Sequence, residues 1–162
     1  AVPEGDHVIP VLNDMIKTAR QAGTPVIASR DWHPVQHCSF EAQGGPWPEH
    51  CIQDTPGAAF HPDLALPADA IRVSKGSAFD KDAYSAFDNT GLATFLRQQD
   101  IRRLWVGGLA LDVCVKATVE SACDHRFETH LVVPATRAVQ PEKTDSVLAE
   151  LQQRGARLES VS

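Results

Sequence analysis

No run of this chain is long and apolar enough to cross a bilayer, which takes roughly 20 consecutive apolar residues in a helix. The opening residues AVPEGDHVIP carry neither the basic stretch nor the apolar core of a secretory signal. Positive charge is also short: 15 Lys and Arg stand against 21 Asp and Glu, a formal net charge of -6 at pH 7. No basic face or run could neutralise a phosphate backbone, so nucleic acid is excluded as a partner and a small molecule is expected. Cysteine is sparse. The four present, Cys38, Cys51, Cys114 and Cys123, lack the dense spacing of a stapled secreted mini-protein, so reduced thiols in a cytoplasmic protein are expected. With these classes set aside, 162 residues that are 43% hydrophobic and 22% charged suit one soluble domain whose core is covered on two faces.

Against this background the segment from Asp31 to Cys51, DWHPVQHCSFEAQGGPWPEHC, is dense in metal donors. Asp31 and His33, with His50 further on, offer one oxygen and two imidazoles, a set suited to Zn, Mn or Fe. Three protein ligands leave coordination positions open, as in a working rather than a structural metal. The D-x-H spacing is short and frequent, and by itself does not separate a metal site from a solvated loop. Trp32, Phe40 and Trp47 would half-bury the segment, Pro34, Pro46 and Pro48 would stiffen it, and Gly44-Gly45 permits a tight bend.

The spacing of Val8, Leu12, Met15, Ile16 and Ala19 predicts an amphipathic helix over 6–22, ended by Gly23. Short apolar runs predict strands at 25–29, 70–74, 104–107, 130–133 and 157–161. Between them, Asp88 or Asn89 is expected to cap a helix carrying Leu92, Phe95 and Leu96. Asp112 is expected to cap a helix through Ala122, and a last helix covers 142–153. This alternation implies right-handed crossovers and an α/β fold: a parallel, doubly wound sheet in three α/β/α layers. Such a fold ordinarily opens on a central strand, whereas this chain opens on a helix, so the first central strand is expected to be missing from the sequence.

The run VGGLALDVC places Cys114 in the first turn of a helix, directly after a strand and a glycine-bearing turn. Helix N-terminal amides stabilise a thiolate and can receive a developing oxyanion, which suits a nucleophile; a buried structural cysteine is the alternative. Cys123, further along the same helix, reads as core. Lys75 comes directly after an apolar strand and would project at the same carboxyl edge, either to stabilise an anion or simply as an exposed strand-end lysine.

In chain order, DWHP, HCSF, GGPWPEHC, TPGAAFHPDL, VSKG, YSAF and GLALDVCV resemble the nicotinamidase/pyrazinamidase branch of the isochorismatase-like cysteine hydrolases, over essentially the whole chain. The resemblance implies a six-stranded parallel sheet in the order 3-2-1-4-5-6. It implies Cys114 as nucleophile, Lys75 as catalytic lysine, and Asp31, His33 and His50 as ligands of one divalent metal, zinc before Mn or Fe. It further implies an oxyanion hole from the Ala110 and Cys114 amides beside a cis Leu109-Ala110 bond, and substrate contacts from Trp47, Tyr84 and Leu109. His37 and Ser39 would be further contacts to the metal or its waters, and a homo-oligomer would be the assembly. The implied activity is hydrolysis of nicotinamide to nicotinate and ammonia through a thioester, within pyridine nucleotide biosynthesis.

One departure stands out. The family's third catalytic residue, an aspartate in D-x-Q-N-D-F at the end of the first strand, has no counterpart in the 162 residues, and Ala1 to Asp6 resembles the stretch just after that motif. A single isochorismatase-like domain truncated at its amino terminus is therefore expected, with Asp112 a cap and not a replacement. Three alternatives stay open: another amide or vinyl-ether hydrolase of the superfamily, a metallohydrolase in which Cys114 is structural, and an inactive metal- or ligand-binding fragment.

Overall fold

The first apolar stripe forms helix α1 (Val8–Gln21) in the computed structural model, which describes residues 1–160. A 3-10 turn, Gly5–His7, leads into it. Pro10 lies in the first turn, where a missing N–H costs no intrahelical bond, and Gly23 comes after the end with φ of 69°. Five strands form: β1 (Ile27–Asp31), β2 (Ile71–Lys75), β3 (Arg103–Leu109), β4 (Glu128–Arg137) and β5 (Arg157–Glu159). Helices α2 (Leu92–Gln98), α3 (Lys116–Asp124) and α4 (Thr144–Gln153) lie between the later strands.

Every strand pairing is parallel. β1 pairs with β2, and β3, β4 and β5 form a second ribbon in that order. The expected order 3-2-1-4-5-6 with its first strand left out requires these same neighbours. No ladder joins the two ribbons among the described residues, so hydrogen bonding does not set the order across them. The connection from β1 to β2 departs from simple alternation. It is an irregular segment with only two 3-10 turns, Glu41–Gln43 and Pro56–Ala58, and connections this long without a helix are characteristic of functional loops.

Two expected caps are not caps. The Asp88 carboxylate instead accepts the backbone N–H groups of Tyr84 and Ser85, at 3.2 and 3.0 Å, closing the preceding turn. Asn89 is left-handed, and Gly91 with φ of 71° opens α2. Asp112 lies one residue inside a π-helical turn, Leu111–Val115, that precedes α3. Its two oxygens accept the N–H groups of Val139 and Gln140, at 2.8 and 3.0 Å. Short acidic side chains satisfy whichever free amides lie nearest, and a fold can bring those from a distant segment. The predicted last strand is observed to Glu159; Val161 lies outside the described residues.

Packing divides around the sheet. Leu131 of β4 joins Leu111, Val115, Val119, Val147 and Leu151 in one core, as the inward positions of α3 and α4 require. Leu92, Leu96, Ala122 and Phe127 form another, against which Ile27 and Val73 pack. Helix α1 lies over β3 and β4, and Gly107 allows that approach: a Cβ there would stand 2.8 Å from the Ala135 Cβ and 3.0 Å from the Leu12 Cδ2. Among the described residues, no helix is long and apolar enough to cross a membrane.

Gly107→Val should therefore push α1 off the sheet and lower stability by about 1–3 kcal/mol, the usual cost of overpacking. Urea unfolding followed by far-ultraviolet circular dichroism measures the loss.

Candidate active site

Three of the predicted residues meet beyond the carboxyl ends of β1, β2 and β3. Asp31 is the last residue of β1, Lys75 the last of β2, and the two are opposite one another in the parallel register. Cys114 lies beyond β3 in the π-helical turn. The Lys75 ammonium, 5% exposed, donates to Asp31 Oδ1 and to Cys114 Sγ, the latter at 3.4 Å. Burial alone would lower the lysine pKa, but the negative charge it faces at Cys114 and Asp31 outweighs this and raises it, so Lys75 is an ammonium at neutral pH. Burial pushes the Cys114 thiol above its ordinary value, and Lys75 offsets only part of that.

The other side of Asp31 faces the loop. Donor atoms of Asp31, His33 and His50 all lie within 4.8 Å of one another. His33 Nδ1 bonds the Gly76 carbonyl at 2.8 Å, and His50 Nδ1 bonds the Pro48 carbonyl at 2.7 Å. A carbonyl only accepts, so both Nδ1 atoms carry the proton and both Nε2 lone pairs are left for a cation. His33 Nε2 lies 3.8 Å from Asp31 Oδ2, the oxygen that Lys75 does not take. Burial holds the His33 pKa below its usual value despite Gly76 and Asp31, which keeps the imidazole neutral at pH 7. A neutral imidazole, a second one and a free carboxylate oxygen fit a divalent metal.

Gly76 makes that arrangement possible. Its φ is 67°, and a Cβ there would sit 2.5 Å from the His33 Cε1. The loop returns beside His33 through two bonds, His33 N–H to the Cys51 carbonyl at 2.9 Å and Gln53 N–H to the His33 carbonyl at 2.8 Å. That return carries His50 back to the site.

The remaining predicted residues surround this pair of centres. Trp47 Nε1 donates to the Tyr84 hydroxyl at 2.9 Å. The Leu109-Ala110 bond is cis, with Leu109 exposed and Ala110 buried. Cys51 is half-buried near Asp31, and burial followed by that carboxylate pushes its thiol to about 11, which leaves it unreactive at neutral pH. A second group, His33, His37 and Asp82, also has donors within 4.8 Å. Its His37 Nδ1 is taken by Ser39 Oγ at 2.7 Å and its Nε2 by the Lys81 carbonyl at 2.9 Å. That leaves His37 no unengaged lone pair, and Ser39 is occupied with it.

Sequence reasoning missed three contributions: the direct Asp31-Lys75 contact, Gly76, and the tie from Asp112 to the residues after β4. The first was within reach. Two parallel strands ending in Asp and Lys place those side chains together once their register is known. The other two depend on segments meeting from far apart in the chain.

The fold recurs in known proteins. The Isochorismatase domain model matches residues 1–162. A nicotinamidase of Escherichia coli (strain K12) is 38% identical over 181 residues, covering 98% of this chain and 85% of its own length. Among solved structures, the pyrazinamidase of Pyrococcus horikoshii in complex with zinc superposes with a TM-score of 0.94 at 43% identity, covering 98% of this chain and 87% of that one. PnC1 from L. infantum in complex with nicotinate gives 0.84 at 35% identity, covering 98% and 81%. A parallel α/β fold with a cysteine after β3 and a lysine at the end of β2, matched by the family model over all its residues, leads to one assignment: the chain belongs to the isochorismatase domain family.

Proposed function

We propose that this chain is a metal-assisted cysteine amidohydrolase that converts nicotinamide and water to nicotinate and ammonia. The observation that carries the proposal is the continuous contact from Cys114 through Lys75 to Asp31, whose free oxygen joins His33 and His50. The names of the relatives supply the substrate class: nicotinamidase activity in E. coli and a nicotinate complex in L. infantum.

The Lys75 ammonium lowers the cost of the Cys114 thiolate, which attacks the carboxamide carbon. A carbon–sulfur bond forms and the carbonyl electron pair moves to oxygen, where the Ala110 and Cys114 amides are the donors we assign. Collapse of this tetrahedral species breaks the carbon–nitrogen bond and releases ammonia once the nitrogen has gained a proton. Water then attacks the thioester, frees nicotinate and restores the thiol. Resemblance assigns both proton transfers to the aspartate of the D-x-Q-N-D-F motif, which has no counterpart in these 162 residues. Trp47 and Tyr84, held edge to edge by their hydrogen bond, suit the walls for an aromatic ring, with Leu109 at its margin. A divalent ion, zinc first and Mn or Fe next, on Asp31, His33 and His50 would supply a Lewis-acidic point that orients a ring nitrogen.

Ammonia release from nicotinamide, measured on a protein extended at its amino terminus to include the D-x-Q-N-D-F segment, tests the proposal. Cys114→Ala should lose at least about 10³-fold in kcat, and Lys75→Met about 10²-fold or more, with zinc bound in both. Retention of activity by Cys114→Ala would move the chemistry to a metal-activated water and overturn the cysteine mechanism.

The raised Cys114 pKa makes thiolate the minor form at neutral pH, and its fraction grows about tenfold per pH unit until the pKa is reached. Iodoacetamide labelling of Cys114, followed by peptide mass spectrometry, should therefore accelerate throughout about pH 7 to 9. Lys75→Met, which removes the cation, should slow labelling at each pH. A rate already level at neutral pH would contradict this.

A further inference from the structure

His37 takes no part in the steps above, yet its side chain is completely buried, at 0% exposure. An imidazole in that position needs partners for both nitrogens, and it has them. The Ser39 backbone N–H points at Nδ1 from 3.2 Å, and the Ser39 hydroxyl lies 2.7 Å from the same atom. A backbone N–H only donates, so Nδ1 carries the lone pair and Nε2 carries the proton, which it gives to the Lys81 carbonyl at 2.9 Å. The partners thus assign one neutral tautomer, and in that tautomer His37 cannot ligate a cation.

What remains is its ring. It stacks on the His33 ring with centroids 4.1 Å apart and planes 22° apart. His33 is also held by the Gly76 carbonyl on Nδ1 and by T-shaped contacts with the rings of Phe40 at 5.8 Å and His50 at 4.9 Å. Of these rings only that of His37 lies flat against His33, where it opposes a tilt of the imidazole towards that face. Such a tilt would carry His33 Nε2 away from Asp31 Oδ2 and from His50.

Resting on the metal reading above, we infer that His37 is a positioning residue and not a ligand: its flat ring holds His33 Nε2 in line with Asp31 and His50. The bond to Lys81, with the neighbouring bond from the Cys38 N–H to the Phe79 carbonyl at 2.9 Å, fastens the same loop to the segment that leads to Tyr84. His37 therefore joins the ion-holding side of the site to the ring-holding side.

Two variants separate the ring from its nitrogens. His37→Phe and His37→Leu both lose the bonds to Ser39 and Lys81, but only phenylalanine keeps a flat ring against His33. Zinc affinity, measured by competition with a chromophoric chelator, should stay within about threefold of wild type in His37→Phe and fall about 10- to 100-fold in His37→Leu, the range typical when a partner of a ligating histidine is removed. With Co(II) in place of zinc, the visible absorption bands of the leucine variant should shift while those of the phenylalanine variant match wild type. Thermal unfolding checks that each variant folds, and His37→Gln, which keeps polar groups but no ring, replaces leucine if that variant does not fold. Equal loss in both variants would make His37 a ligand or a purely polar support, and equal retention would leave its ring without a role; either overturns the inference. A wild type that takes up no zinc overturns the metal reading itself and this role with it, whereas a wild type that binds zinc only as tightly as the leucine variant overturns the His37 role alone.

Discussion

A buried ammonium is the constraint on which the rest of the site depends. Lys75 cannot stay charged away from water unless its hydrogens are used, and desolvation penalises an unpaired cation by several kcal/mol or more. Asp31 supplies the counter-charge at the end of the adjacent strand, and Cys114 receives a second donor bond from the turn after the third. Because Lys75 engages Oδ1, Asp31 is left with Oδ2 directed at the loop histidines. One lysine thereby fixes which oxygen faces which half of the site, and it ties β1, β2 and the turn after β3 at a single point.

The loop that brings the histidines is irregular without being loose. Phe40 and Trp47 make an isolated parallel bridge, and the Trp47 N–H bonds the Ser39 carbonyl at 2.9 Å. The bend between them brings Gly45 so close to Ser39 that a Cβ would lie 2.2 Å from its carbonyl carbon. Backbone bonds to Cys51 and Gln53 then seat His33 between the two ends of the segment. Such local ties replace the ladder that a strand or helix would provide, and they hold donor atoms as firmly as regular structure does.

Much of this architecture was legible in the sequence, for reasons of periodicity. The helix from Val8 and the apolar cores of β1, β2 and β3 stood out because one-sided or two-sided burial imposes a pattern on consecutive residues. The placement of Cys114 after a strand and glycines was readable on the same basis, as was the donor-rich loop. Caps were not. Asp88 and Asp112 look like helix starters, but each carboxylate serves amides that the fold supplies, from the preceding turn for Asp88 and from beyond β4 for Asp112. His37 shows the same limit: the bonds that fix its tautomer come from Ser39, two residues on, and from Lys81, 44 residues away.

Lys75 and Gly76 are consecutive, yet the first contacts Cys114 and the second holds His33 through its carbonyl. The two halves of the site consequently meet at one pair of adjacent residues. If β2 slid along β1 by one residue, the lysine would turn to the opposite face and the carbonyl would leave His33 in the same movement. A slip of this strand would misalign both centres together, so its end acts as a mechanical interlock against a shift in register.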